Sequence, residues 1–184
     1  KYWRNVGSIQ MIAGPDLATT AIEPHEFLEF LSGKLSRRFV DSGTTLDLRM
    51  TQMDLAADGD GQFRVTEFFC HDDTWKLTLA RLADESDAVL MDLRGFSQNN
   101  AGCVFEINEL FHLVSLVRVV FVIDASTDQT FLRQTMQQAW RQVKERSPNR
   151  RPGGGKVSLV QMADRSPMSD LLRALCAAAT VKPA

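Results

Sequence analysis

The feature that most constrains this chain is a pair of uninterrupted apolar runs, Ala88–Met91 and Val119–Ile123, each closed by an aspartate, Asp92 and Asp124. Runs of strand length without polar alternation suit strands buried on both faces, and such strands occur in parallel sheets covered by helices. Around them lie longer stretches whose apolar residues recur every three or four positions, the spacing of a helix with one buried stripe. Five such strand-helix pairs can be counted. They predict a three-layer α/β/α fold over residues 8–178, with a five-stranded, mostly parallel sheet in the flavodoxin-like order 2-1-3-4-5.

The first pair is a strand at Ser8–Ala13 and a helix from Pro24 to about Phe39, carrying Phe27, Leu28, Leu31 and Leu35. Leu46, Leu48 and Met50 alternate with polar neighbours and predict an edge strand. Asp58-Gly59-Asp60-Gly61 reads as a tight turn, with an extra short strand at 63–70 beyond it. A helix capped by Asp72 or Asp73 then runs to about Asp84. After the two central strands come helices carrying Val104 to Phe111 and spanning Asp128 to Arg146, and a glycine-rich loop at Arg150–Lys156. The last pair is a strand at Val157–Met162 and a helix from Pro167 to about Ala178. Residues 1–7 are a lead-in and 179–184 a tail.

Charge and cysteine content narrow the functional classes. The formal net charge is −2, with basic residues scattered along the chain, so nucleic acid is not an expected partner. The three cysteines, Cys70, Cys103 and Cys176, form neither a disulfide framework nor a zinc-ligand pattern and fit a reducing, cytoplasmic setting. No apolar run approaches the roughly 20 residues needed to cross a bilayer. Lys1, Tyr2, Trp3 and Arg4 mix aromatic and basic residues as membrane-flanking segments do. They are read either as a plain lead-in to the first strand or as the junction with a membrane anchor before residue 1, which makes the chain the cytosolic domain of a membrane protein.

Several motifs fail on spacing. Gly59-Asp60-Gly61 has Arg64 where a dinucleotide fingerprint needs its third glycine, and Gly155-Lys156 is followed by Val157 where a phosphate loop needs Ser or Thr. Asp58–Gly61 lacks the turn glycine and terminal glutamate of a calcium loop. Cys70-His71-Asp72-Asp73 has no second ligand cluster at useful spacing, so no metal is expected.

In an open parallel sheet, ligands occupy the crevice at the carboxyl ends of the strands where the chain reverses direction. For the predicted order the crevice lies between Gly14–Thr20, which contains Asp16, and the loop from Asp92 to Asn100. Asp92, Arg94, Phe96 and Ser97 are therefore candidate substrate contacts together with Asp16. A guanidinium at Arg94 suits a phosphate or ribose hydroxyls, and equally a surface salt bridge. Phe96 is placed either to stack on a base or to plug the end of the sheet. Glu106, one turn into the third predicted helix, sits among Val104, Phe105 and Ile107, whose apolar character raises a carboxyl pKa. Such a carboxylate can act on an anomeric carbon as nucleophile or stabiliser, or it can simply pair with backbone amides or an arginine.

The run from Asp87 to Asp124, with Cys103-Val104-Phe105-Glu106-Ile107 between two apolar strands, resembles the Toll/interleukin-receptor (TIR) domain. Gly102, Phe105 and Glu106 also resemble the Gly-x-x-Phe-Glu stretch of nucleoside deoxyribosyltransferases. Gly102 stands where TIR domains carry tryptophan, and Ile107 where they carry leucine. The resemblance implies a flavodoxin-like fold and two functions. One is a sensor, signalling or assembly domain with homotypic self-association and a nucleotide such as NAD as ligand. The other is an enzyme that cleaves or exchanges the N-glycosidic bond of NAD or a related nucleotide, with Glu106 as its catalytic residue.

Overall fold

The computed structural model describes residues 3–13, 39–151, 155–163 and 168–181. The chain divides into two compact units, Lys1–Leu82 and Ala83–Ala184. The fold is α/β, with two three-stranded parallel sheets.

In the first unit β1 (Ile9–Ala13), β2 (Phe39–Val40) and β3 (Val65–Cys70) form a parallel sheet in the order β1-β3-β2. The segment read as an accessory strand is thus the central one. The turn before it is as read from its residues: Gly61 has φ of 76°, which glycine adopts without strain, and its N–H donates to the Asp58 carbonyl at 2.8 Å. Trp3–Asn5 forms a short 3-10 turn tied to the segment between the Asp58–Gly61 turn and β3. The Phe63 N–H donates to the Arg4 carbonyl at 2.7 Å, and the Arg4 guanidinium donates back to the Phe63 carbonyl at 2.8 Å.

The predicted edge strand at Leu46–Met50 is instead a helix, α1 (Gly43–Thr51). Ser42 caps it, its hydroxyl accepting from the Thr45 N–H at 3.2 Å, and Leu46 is buried while Leu48 is exposed. The order 2-1-3-4-5, which counts that segment as its second strand, is not reproduced. Phe39 opens a strand where the end of a helix was predicted; the rest of that helix and the Gly14–Thr20 loop lie outside the described residues.

α2 (Trp75–Glu85) begins after Thr74, not after Asp72 or Asp73. Thr74 supplies the first helical acceptor, to the Thr78 N–H at 3.0 Å. Its hydroxyl donates to the Val40 carbonyl at 2.7 Å and accepts from the His71 N–H at 3.0 Å.

In the second unit β4 (Val89–Asp92), β5 (Val119–Ile123) and β6 (Ser158–Gln161) form a parallel sheet in the order β4-β5-β6. Every residue of β5 is buried, as its apolar run requires, whereas β4, whose similar run predicts a central strand buried on both faces, lies at the edge of this sheet with Leu90 40% exposed. Val119, Phe121 and Ile123 share one face with residues of α3 (Ala101–Leu113) and α4 (Gln129–Arg141), including Ile107, Leu110, Phe111 and Leu132. Val120 and Val122 point to the other face by strand alternation and are also buried. α5 (Met168–Ala179) packs against β5 and β6.

A buried asparagine closes this unit behind α3. The Asn149 amide donates to the carbonyls of Phe111 at 2.9 Å and Val114 at 2.7 Å, and its oxygen accepts from the Leu116 N–H at 2.8 Å. Helix ends leave such carbonyls without intrahelical partners, and here a side chain supplies the donors.

Candidate functional site

The carboxyl ends of β4 and β5 carry most of the residues singled out in the sequence. β4 ends on Asp92, and the chain turns through Leu93-Arg94-Gly95-Phe96, with the Phe96 N–H donating to the Leu93 carbonyl at 3.1 Å. Gly95 has φ of 72°, the conformation that the third position of such a turn demands. Asp92 and Arg94 bind each other: Nε donates to both carboxylate oxygens, at 2.9 and 3.1 Å, and Nη2 donates at 2.6 Å. The guanidinium holds the Asp92 carboxyl below its usual range. Both side chains are about half exposed, so the fork is a surface feature.

The second loop, after β5, clasps the first. Asp124 accepts from the N–H and hydroxyl of Ser126, at 2.9 and 2.6 Å, and from the backbone of Gly95, which keeps its carboxyl low. Thr127 donates its hydroxyl to the Leu93 carbonyl at 2.9 Å, and the Asp128 N–H donates to the Phe96 carbonyl at 2.9 Å. Phe96 is 2% exposed and stacks on Phe131 with ring centroids 5.4 Å apart. Its ring plugs the end of the sheet. The Ser97 N–H and hydroxyl both donate to the Asn100 side-chain oxygen, at 2.9 and 3.1 Å, immediately before α3.

Glu106 lies on α3 one turn beyond Cys103, half-buried, and has no hydrogen bond or ion pair among the described residues. Burial pushes its carboxyl above the ordinary value. The Cys103 thiol is also raised, first by burial and then by the Glu106 charge, so it is a poor source of thiolate. Asn108 and His112, farther along the same helix, each bury one polar atom, Oδ1 and Nδ1, without a partner. Asp16 lies outside the described residues. Among the described residues, no group of three or more metal-ligating side chains converges, and no helix is long and apolar enough to cross a membrane.

Sequence reasoning did not single out Asp124 and Thr127, which organise this end of the sheet. The signal was present: an aspartate closing a β-branched run, with Ser and Thr two and three residues on, is the composition of a side-chain-closed turn. Comparison with protein-family models, with curated proteins and with solved structures finds no match to the chain.

Proposed function

We propose that the chain is a non-catalytic sensor or assembly domain, TIR-like in its Asp87–Asp124 segment, that works by binding a nucleotide or a second copy of itself. One observation carries this reading. The described side chains offered as substrate contacts already have partners within the protein: Arg94 and Asp92 pair with each other, Ser97 bonds to Asn100, and the Phe96 ring stacks on Phe131. Among the described residues this pairing takes up Arg94, the cation that would steady a phosphate while a bond breaks, which supports recognition or self-association over catalysis at this sheet end. The burial of Glu106 adds to it, because a nucleophilic or cation-stabilising carboxylate must be ionised and desolvation opposes ionisation.

The test is light scattering across a wide protein concentration range, together with calorimetric titration of AMP and NAD. Concentration-dependent self-association or saturable nucleotide binding is expected. A strictly monomeric chain that binds neither nucleotide overturns the proposal.

A specific observation favours a second reading, N-glycosidic cleavage by Glu106. A half-buried carboxyl without donor or cation is costly to keep, and such groups concentrate at functional sites. On this reading the chain releases nicotinamide from NAD, and Glu106→Gln abolishes the release. An unchanged rate in that variant removes Glu106 from the chemistry.

A further inference from the structure

The basic residues occur along the whole chain but are densest in one segment. Residues 129–156 hold seven Lys and Arg against a single acid, Glu145, in a chain whose formal net charge is −2. This segment takes in α4 and, before β6, Gly155 and Lys156, and it borders a cavity of about 510 Å³ between α4, β6 and the residues just before β6. That volume lies within the range of small-molecule sites, roughly 300–1,000 Å³. Glu106 does not line it.

The lining residues of α4 recur every three or four positions, so they occupy one face of the helix. Leu132, Met136 and Trp140 form an apolar wall opposite Leu159 of β6, which is 51% exposed although it shares a sheet face with Phe121. Trp140 is 36% exposed, and Gly155 lies so close to its indole that an added Cβ would stand 3.0 Å from Cη2. Glycine therefore lets the backbone back the ring and hold it as a flat wall. Arg133 and Arg141 line the same cavity and are exposed, with no hydrogen bond or ion pair among the described residues. Eight residues apart on one helix, they stand about 12 Å from each other along its axis.

We propose that this cavity binds an amphipathic organic anion, a carboxylate, sulfonate or phosphate whose flat aromatic body lies against Trp140 and whose acid group pairs with Arg133 or Arg141. An aromatic face, aliphatic contacts and a guanidinium fork within one cavity match that chemistry, because arginine pairs such acids in two-pronged fashion and indole stacks on flat rings. A neutral ring would leave both arginines unmatched, and a simple inorganic anion would leave the apolar wall exposed to water.

The probe is anilinonaphthalene sulfonate, titrated into the full 184-residue chain and followed by its own fluorescence and by calorimetry. A single saturable site is expected, weakened about tenfold or more in the Arg133→Glu/Arg141→Glu variant through loss of charge-assisted bonds. Arg173→Glu, which alters an exposed arginine of α5 outside the cavity, leaves the affinity within about twofold, since surface charges interact weakly. The neutral analogue N-phenylnaphthylamine binds more weakly than the sulfonate. Equal binding of the two probes overturns the proposal, as does an affinity that Arg133→Glu/Arg141→Glu leaves unchanged. Should that variant fail to fold by circular dichroism, chemical-shift mapping on the unaltered protein decides: shifts must centre on Met136, Trp140 and Leu159, and shifts elsewhere overturn the assignment.

Discussion

β3 and β5 occupy the same place, the middle of a three-stranded parallel sheet, and are built differently. All five residues of β5 are buried, whereas in β3 only Phe68 and Cys70 are, with Val65 and Glu67 exposed. A strand with neighbours on both sides can therefore be half-solvated along part of its length, and its sequence then lacks the continuous apolar run that marks a central strand. Truncating one fully buried phenylalanine in each strand gives the largest effect and sharpens the contrast. Phe121→Ala should cost about 3–5 kcal/mol in urea denaturation, and Phe68→Ala should fall near the lower end of that range. Phe121 is enclosed by the larger buried cluster, whereas beside Phe68 partly buried side chains such as Ile12 and Met50 can relax into the space. A cost for Phe68→Ala equal to or above that of Phe121→Ala breaks the comparison.

The next largest effect belongs to buried polar groups, which each unit uses differently. Asn149 is 1% exposed and satisfies three backbone groups around the end of α3. Asn149→Ala strips the Val114 carbonyl and the Leu116 N–H of their partner, while the Phe111 carbonyl keeps the Ser147 hydroxyl, and it should cost about 2–4 kcal/mol, since each buried group left unpaired carries a penalty of about 1–3 kcal/mol. Thr74 does a smaller version of this work in the first unit, bridging Val40 and His71. Thr74→Val keeps the shape and should cost about 1–2 kcal/mol. Denaturation midpoints of the two variants measure both, and a larger loss for Thr74→Val contradicts the ordering.

The same contrast explains what the sequence disclosed. Val119–Ile123 is a strand with the predicted ends, because burial on both faces leaves no polar residue to blur them. β6 and the helices α3, α4 and α5 follow from their own patterns in the second unit, although α4 stops at Arg141 instead of Arg146; β4 is a strand as read, but its apolar run misleads about its place, since it is an edge strand with Leu90 exposed. In the first unit Leu46, Leu48 and Met50 satisfy a two-residue period over too few positions to exclude the helical pair Leu46 and Met50. The signal that decides it is Ser42, a capping residue placed just before the first turn. Of the candidate site, the placement of Asp92 and Arg94 at a strand end was legible. The salt bridge of Arg94 and the plugging of the sheet end by Phe96 stood there only as one of two alternatives each, and the clasp from Asp124 was not legible, since it depends on which side chains a second loop brings alongside. The cavity beside Trp140 was equally hidden, because its wall joins α4 to Leu159, residues that only the tertiary fold brings together.

The smallest expected effect is one of slope rather than size, and it concerns Glu106. Its carboxyl is raised in the folded chain from the ordinary value of 4.5 by burial. Between that value and its higher folded value the native state holds a proton that the unfolded chain has released. Stability therefore falls as pH rises through this window, and the loss is complete above the folded value. Glu106→Gln has no proton to release, so it should flatten this decline and be relatively more stable at neutral pH than at pH near 4. Urea midpoints measured across that range for both proteins check the sign. Parallel curves would mean that Glu106 is as well solvated folded as unfolded, which would remove the physical objection to an ionised, catalytic carboxylate at that position.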